Sequence, residues 1–196
     1  MMLQKDDIFS FEEDVRKVKP GKILLSEPFG RDMYFKRSVI LIVEHNHAGT
    51  IGFSINKSIS APIKNIFKEF PIAPKNFTLG GPVELDSLHF IHTLGDQIHD
   101  SVQVTPEIYW GGDFEQLRFL LNHGKISDNQ IRFFIGYCGW AVNQLSEEIS
   151  KNMWVVSNIS SKEIFSPDEN IWFKVIERLG QKFKPWLNVP EVPELN

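Results

Sequence analysis

Five consecutive aliphatic residues, Val39-Ile40-Leu41-Ile42-Val43, lie between Ser38 and Glu44, and no other stretch limits the fold as tightly. β-Branched side chains suit an extended backbone, and a run that is apolar at every position leaves little surface for water. The run predicts a buried strand, central in its sheet. Ile23-Leu24-Leu25-Ser26 predicts a second buried strand just before it. Beyond the central run, His45-Asn46-His47-Ala48-Gly49 supplies a turn. Thr50 to Asn56 then alternates, with Ile51, Phe53 and Ile55 on one side and Gly52, Ser54 and Asn56 on the other. This pattern predicts a hairpin with one covered face.

Elsewhere the apolar spacing changes between periods of about two and 3.6 residues. Helical spacing marks residues 7–18 and, behind Pro62, a stretch ending near Phe70. Two strands are expected at Leu88 to Thr93 and Gln97 to Thr105, joined by a tight Gly95-Asp96 turn. Asp113 as N-cap, apolar Phe114, Leu117, Leu120 and Leu121, and Gly124 past the end define a helix. Gln130 to Tyr137 reads as an aromatic strand, followed by a glycine-bounded turn and a helix carrying Leu145 and Ile149. Met153 to Val156 returns as a strand, and a last helix spans about Asp168 to Leu179. The order lacks regular βαβ alternation, so the expected class is α+β with a largely antiparallel, curved sheet.

Composition narrows the function classes. A net charge of −4 offers no global field for a polyanion, so nucleic acid is disfavoured as a partner. One cysteine, Cys138, can form no internal disulfide, which fits a reducing cytoplasm. The start shows no basic-then-apolar export pattern, and the five-residue aliphatic run falls far short of the roughly 20 residues of a membrane-spanning helix. No membrane association is expected. Sixteen phenylalanines and five tryptophans mean that the core, and any groove, is aromatic.

The chemical motifs divide on geometry. Ser54 and Lys57 match a Ser-x-x-Lys spacing, but three positions apart on a strand point to opposite faces, and His89 and His92 fail as a metal pair for the same reason. His45 and His47 could hold a metal only with a third ligand, and none is identifiable in the sequence. Cys138, between glycines at a strand end, is the one nucleophile candidate. No phosphate-binding loop, dinucleotide fingerprint or basic recognition helix occurs. No cofactor is expected.

Two glycine clusters shape backbone: Gly80-Gly81-Pro82-Val83 and Gly136-Tyr137-Cys138-Gly139-Trp140, the second leading into Asn143 to Ile149. With Gly21 to Ser26, Phe35, Arg37-Ser38-Val39, Glu44-His45, Gly52 to Asn56, Gln144-Leu145 and Glu148, these segments occur in an order that resembles the AlgH/YqgE family of bacterial proteins. The resemblance runs from about Gly21 to Leu179. It implies a bifurcated sheet curled into a pseudo-barrel with flanking helices, and a cytosolic location. It implies no established activity, and the family name carries an association with transcriptional regulation. The expected organisation is a helical extension at 1–20, an AlgH/YqgE-like α+β domain at 21–184 and a proline-rich tail at 185–196. The expected function is a non-catalytic module binding a small molecule or protein. Its candidate pocket comprises Arg37, Glu44, Asn56, Gly80, Gly81, Gly139, Trp140, Gln144 and Glu148. The competing expectations are a hydrolase or transferase using Cys138 or a histidine-bound metal, and a transcriptional regulator.

Overall fold

The structure, a computed structural model, describes residues 15, 17–29, 34–59 and 77–190. The expected helix near Pro62 and most of the expected N-terminal helix lie outside the described residues. The central run forms β2 (Val39–Asn46), flanked by β1 (Ile23–Ser26) and β3 (Gly49–Ser54). Its alternate residues feed two different cores. Val39, Leu41 and Val43 face one side, with Trp172, while Ile40 and Ile42 face the other, with Trp140 and Trp154. Sheet alternation thus gives each face its own apolar layer. The hairpin was expected to be covered on one face only; instead Gly52 and Ser54 are buried as well as Phe53 and Ile55. Leu24, Cys138, Leu145, Ile149 and Val156 also belong to the second layer, and a Cβ on Gly52 would lie 2.7 Å from Ile40 Cγ2, which leaves no room there for a side chain.

β4 (Phe77–Leu79), β5 (Val83–His92), β6 (Val102–Gln103), β7 (Tyr109–Trp110), β8 (Ile131–Trp140) and β9 (Trp154–Ser157) complete a nine-stranded sheet. It runs β6-β7-β5-β8-β3-β2-β1-β9 with β4 attached to β8, and it is not closed. Only the β4–β8 pairing is parallel among the described pairs. Among the described residues five helices accompany it: α1 (Phe114–Asn122), α2 (Gln144–Ser150), α3 (Ser161–Phe165), α4 (Ile171–Arg178) and α5 (Lys184–Leu187). The α+β class is as expected. No helix among the described residues is long and apolar enough to cross a membrane.

β8 is where the sheet forks. Its first half pairs with β4 and β5, and its last three residues pair with β3. Gly136 has φ +65°, a conformation that side chains rarely adopt, and a Cβ there would lie 2.7 Å from two backbone oxygens. The chain therefore bends within the strand, and Gly139 and Trp140 remain strand where a turn was expected. Expected strand Gln97 to Thr105 is likewise replaced by a 3₁₀ turn at Gly95–Gln97 and the two-residue β6. α1 begins as expected, with the Asp113 carboxylate accepting from the Glu115 and Gln116 amides. The Gln116 side-chain oxygen accepts from the His99 amide.

Arg132 anchors the fork. It is 3% exposed and donates to Thr78 Oγ1, to the Ile164 carbonyl at 2.6 Å and to the Ile55 carbonyl. One guanidinium thereby ties β8 to β4, to α3 and to the chain leaving β3. Burial lowers its pKa to about 10, which still leaves it charged at neutral pH.

Candidate functional site

Where β8 ends, Asn143 adopts φ +66° and turns the chain into α2. Gln144 and Glu148 stand four apart, one turn of the same helical face, and the Gln144 amide donates to Glu148 Oε1 at 2.9 Å. The Gln144 oxygen in turn accepts from the Ala141 amide. The other Glu148 oxygen accepts from two indoles, Trp140 Nε1 at 2.8 Å and Trp154 Nε1 at 2.7 Å. Strand β8 brings one tryptophan, β9 the other, and α2 places the carboxylate between them.

This cluster forms one wall of a cavity of about 460 Å³. Gly139, Trp140, Gln144 and Glu148 line it together; Phe35, Trp154, Glu27, Lys36, Pro82 and Cys138 are among the rest of the lining. The volume lies within the range of small-molecule sites. Phe35 meets Trp154 at 5.6 Å and 80°, and Trp140 meets Trp154 at 5.8 Å and 83°. Glu27 is half-buried, and desolvation pushes its carboxyl above the ordinary value.

The two glycine clusters meet directly behind this cavity. A Cβ on Gly81 would lie 1.8 Å from the Tyr137 carbonyl carbon, and one on Gly80 would lie 2.3 Å from the Gly136 oxygen. Gly80 and Gly81 thus form the seam between β4 and β8, while the following Pro82 and Val83 reach the cavity itself.

Arg37 and Asn56 lie apart from that group, on a second cavity of about 360 Å³ shared with Lys57, Glu169, Trp172 and Phe173. Lys36 lines both cavities. Arg37 has φ +53°, donates to the Val189 carbonyl and lies over the Phe173 ring at 4.8 Å. Asn56 accepts from the Val39 amide and donates to the Arg37 carbonyl, a clamp between the start of β2 and the end of β3. Glu44 lines neither cavity; it accepts from the Asn46 side chain at 2.5 Å near the exposed end of β2.

The remaining chemical candidates take structural positions. Cys138 is 1% exposed, its thiol donates to the Gly80 carbonyl at 3.2 Å, and burial pushes its pKa up to about 12. A neutral, already bonded thiol is a poor nucleophile, although it borders the cavity. Lys57 Nζ donates to the Lys36 carbonyl at 2.7 Å. His92 is buried, with one ring nitrogen accepting from the Leu94 amide and the other beside Ser101 and the Gly111 carbonyl. His45 lies on β2, its Nδ1 2.7 Å from Thr50 Oγ1. Among the described residues no three His, Cys, Asp or Glu side chains gather to hold a metal.

Glu27, Lys36 and Trp154 were missed as site residues by sequence reasoning. Trp154 carried a signal, a large aromatic at the start of a short expected strand, but nothing local shows that its indole N–H meets Glu148.

Residues 23–184 match the profile of a family described as AlgH-like. A UPF0301 protein of Parabacteroides distasonis is 42% identical over 179 residues, covering 90% of each chain. Another, from Chlorobaculum tepidum, is 38% identical over 180 residues, covering 91% of this chain and 96% of its own. Among solved structures, protein DIP2367 of Corynebacterium diphtheriae superposes with TM-score 0.70 at 23% identity, covering 88% of this chain and 93% of that one. The solution structure of AlgH from Pseudomonas aeruginosa gives TM-score 0.68 at 23% identity, covering 87% and 94%. These two likenesses show a shared fold.

Proposed function

The chain belongs to the AlgH-like family, and we propose that it is a non-catalytic binding protein acting in the cytoplasm on a small molecule held in the 460 Å³ cavity. One observation carries this reading: a carboxylate fixed by two indole N–H groups and an amide, on the wall of an aromatic-lined hollow. Such a wall is preorganised, because Glu148 cannot rotate without breaking three hydrogen bonds. Ligand sites are characteristically mostly apolar with a few fixed polar groups of this kind. The masked reactivity of Cys138 favours binding over covalent chemistry. The single, buried cysteine also suits a reducing compartment.

Thermal-shift screening of the full chain against a small-molecule library tests the proposal. A ligand that binds the native state raises Tm in a concentration-dependent way, by linkage. Trp140→Phe keeps a ring but deletes one donor to Glu148, and it should weaken that ligand while the fold survives. A stabilising ligand whose effect is untouched by Trp140→Phe and by Trp154→Phe would place binding elsewhere.

A further inference from the structure

We infer that the bulge in β5 is a proton-operated latch: neutral His89 holds residues 84–87 in place, and a proton added to its ring releases them. The register between β5 and β8 slips between Val83, opposite Tyr137, and Leu88, opposite Ile135, so the intervening residues leave the ladder. Glu84 sits there at φ +50°, a left-handed conformation that costs free energy for a residue with a side chain. Side-chain bonds hold it. Ser87 Oγ donates to the Glu84 carbonyl at 2.7 Å, the Tyr137 hydroxyl donates to Glu84 Oε1 at 3.4 Å, and His89 Nε2 lies 2.9 Å from Ser87 Oγ.

These bonds assign the hydrogens of the ring. Ser87 has one hydroxyl hydrogen, and the Glu84 carbonyl takes it, so His89 Nε2 carries the hydrogen that points at Ser87 Oγ. Nδ1 is left as the site for an added proton. The half-buried ring lies 5.2 Å from Phe53 of β3, 6.4 Å from Trp110 of β7 and 5.7 Å from Tyr137 of β8. Among the described residues, Glu84 and Tyr137 are the titratable groups it meets; Phe53 and Trp110 are uncharged, and Asp86, the other acid of the bulge, is exposed. Desolvation outweighs the attraction of Glu84 and holds the imidazole below its ordinary pKa of 6.5. The Tyr137 phenol, raised above its ordinary value by desolvation and by Glu84, stays a donor throughout this range. A charged imidazolium needs either the Glu84 carboxylate or water. In the first case Glu84 turns away from Tyr137; in the second the ring leaves Ser87 and its aromatic neighbours. Each breaks one of the three bonds of the latch, and Pro82 and Val83, which line the cavity, directly precede it.

An NMR titration of the full chain from about pH 8 to about pH 4, with histidine resonances assigned through the backbone, tests the latch. His89 is expected to titrate below 6.5, and the amides of Glu84, Leu85, Ser87 and Tyr137 to shift with the same midpoint. Below it their protection from hydrogen exchange, corrected for the intrinsic effect of pH, should fall at least about tenfold, and in His89→Gln that loss should vanish. Glu84→Gln keeps an acceptor for Tyr137 but removes the charge that favours the imidazolium, so the His89 midpoint should move lower still. A midpoint at or above 6.5, or bulge amides whose protection ignores it, overturns the latch. If His89→Gln does not fold, Glu84→Gln decides alone, and an unmoved midpoint overturns the coupling of Glu84 to the ring.

Discussion

Arg132 at the fork of the sheet and Glu148 at the cavity wall are both charged side chains held by neutral partners, and the contrast between them separates scaffold from site. Arg132 is sealed: four hydrogen bonds run from its guanidinium to a hydroxyl and two carbonyls, and its exposure is 3%. Glu148 is held as firmly, by three donors, but remains half-buried and borders a hollow large enough for a ligand. Both arrangements spread a charge over oriented dipoles, which offsets desolvation without a counter-ion. At the fork every surrounding group is consumed by the fold. At the cavity the electrostatic field of the charge extends into space that the protein does not fill.

The comparison can be broken at the fork, where the largest effects are expected. Gly81→Ala forces a methyl group into the Tyr137 backbone, and it should abolish the cooperative unfolding transition, an effect beyond about 4 kcal/mol. A variant that melts like the parent would show that the seam between the glycine clusters is looser than described. Arg132→Met and Glu148→Gln sharpen the contrast as a pair in urea denaturation. The first strips partners from Thr78, Ile55 and Ile164 and should cost about 3–5 kcal/mol, by the penalty for buried unpaired polar groups. The second retains an oxygen acceptor and should cost only about 1 kcal/mol. Equal losses would make Glu148 as structural as Arg132.

The smallest effect concerns Cys138. Its thiol stays protonated in the folded chain up to about pH 12, whereas the unfolded thiol ionises near its ordinary value of 9.0. The unfolded state therefore releases its proton first, and native stability falls as pH rises through that window. Cys138→Ala should flatten this part of the pH profile relative to the parent. A thiol reagent at pH 8 should label the native chain far more slowly than the unfolded one. Rapid native labelling would return Cys138 to the list of nucleophiles.

Local chemistry determined much of this protein. The five-residue aliphatic run specified a central strand, Asp113 and Gly124 bounded a helix, and the strand order specified an α+β class, because propensity, capping and periodicity act over a few residues. Trp140, Gln144 and Glu148 were legible as one group, because a strand end and one helical turn hold them close in sequence. What the sequence could not decide depends on distance along the chain. Arg37 and Asn56 belong to a different cavity from Trp140, and Glu44 belongs to neither. The bend at Gly136 stayed inside a strand because β3 supplies pairing partners beyond it. Arg132 lies within the expected strand Gln130 to Tyr137, and its partners Thr78, Ile55 and Ile164 come from three other segments. Tertiary structure alone decides such matters, since a buried polar group takes whatever partner the topology delivers, and topology is set by pairings between residues far apart in the chain.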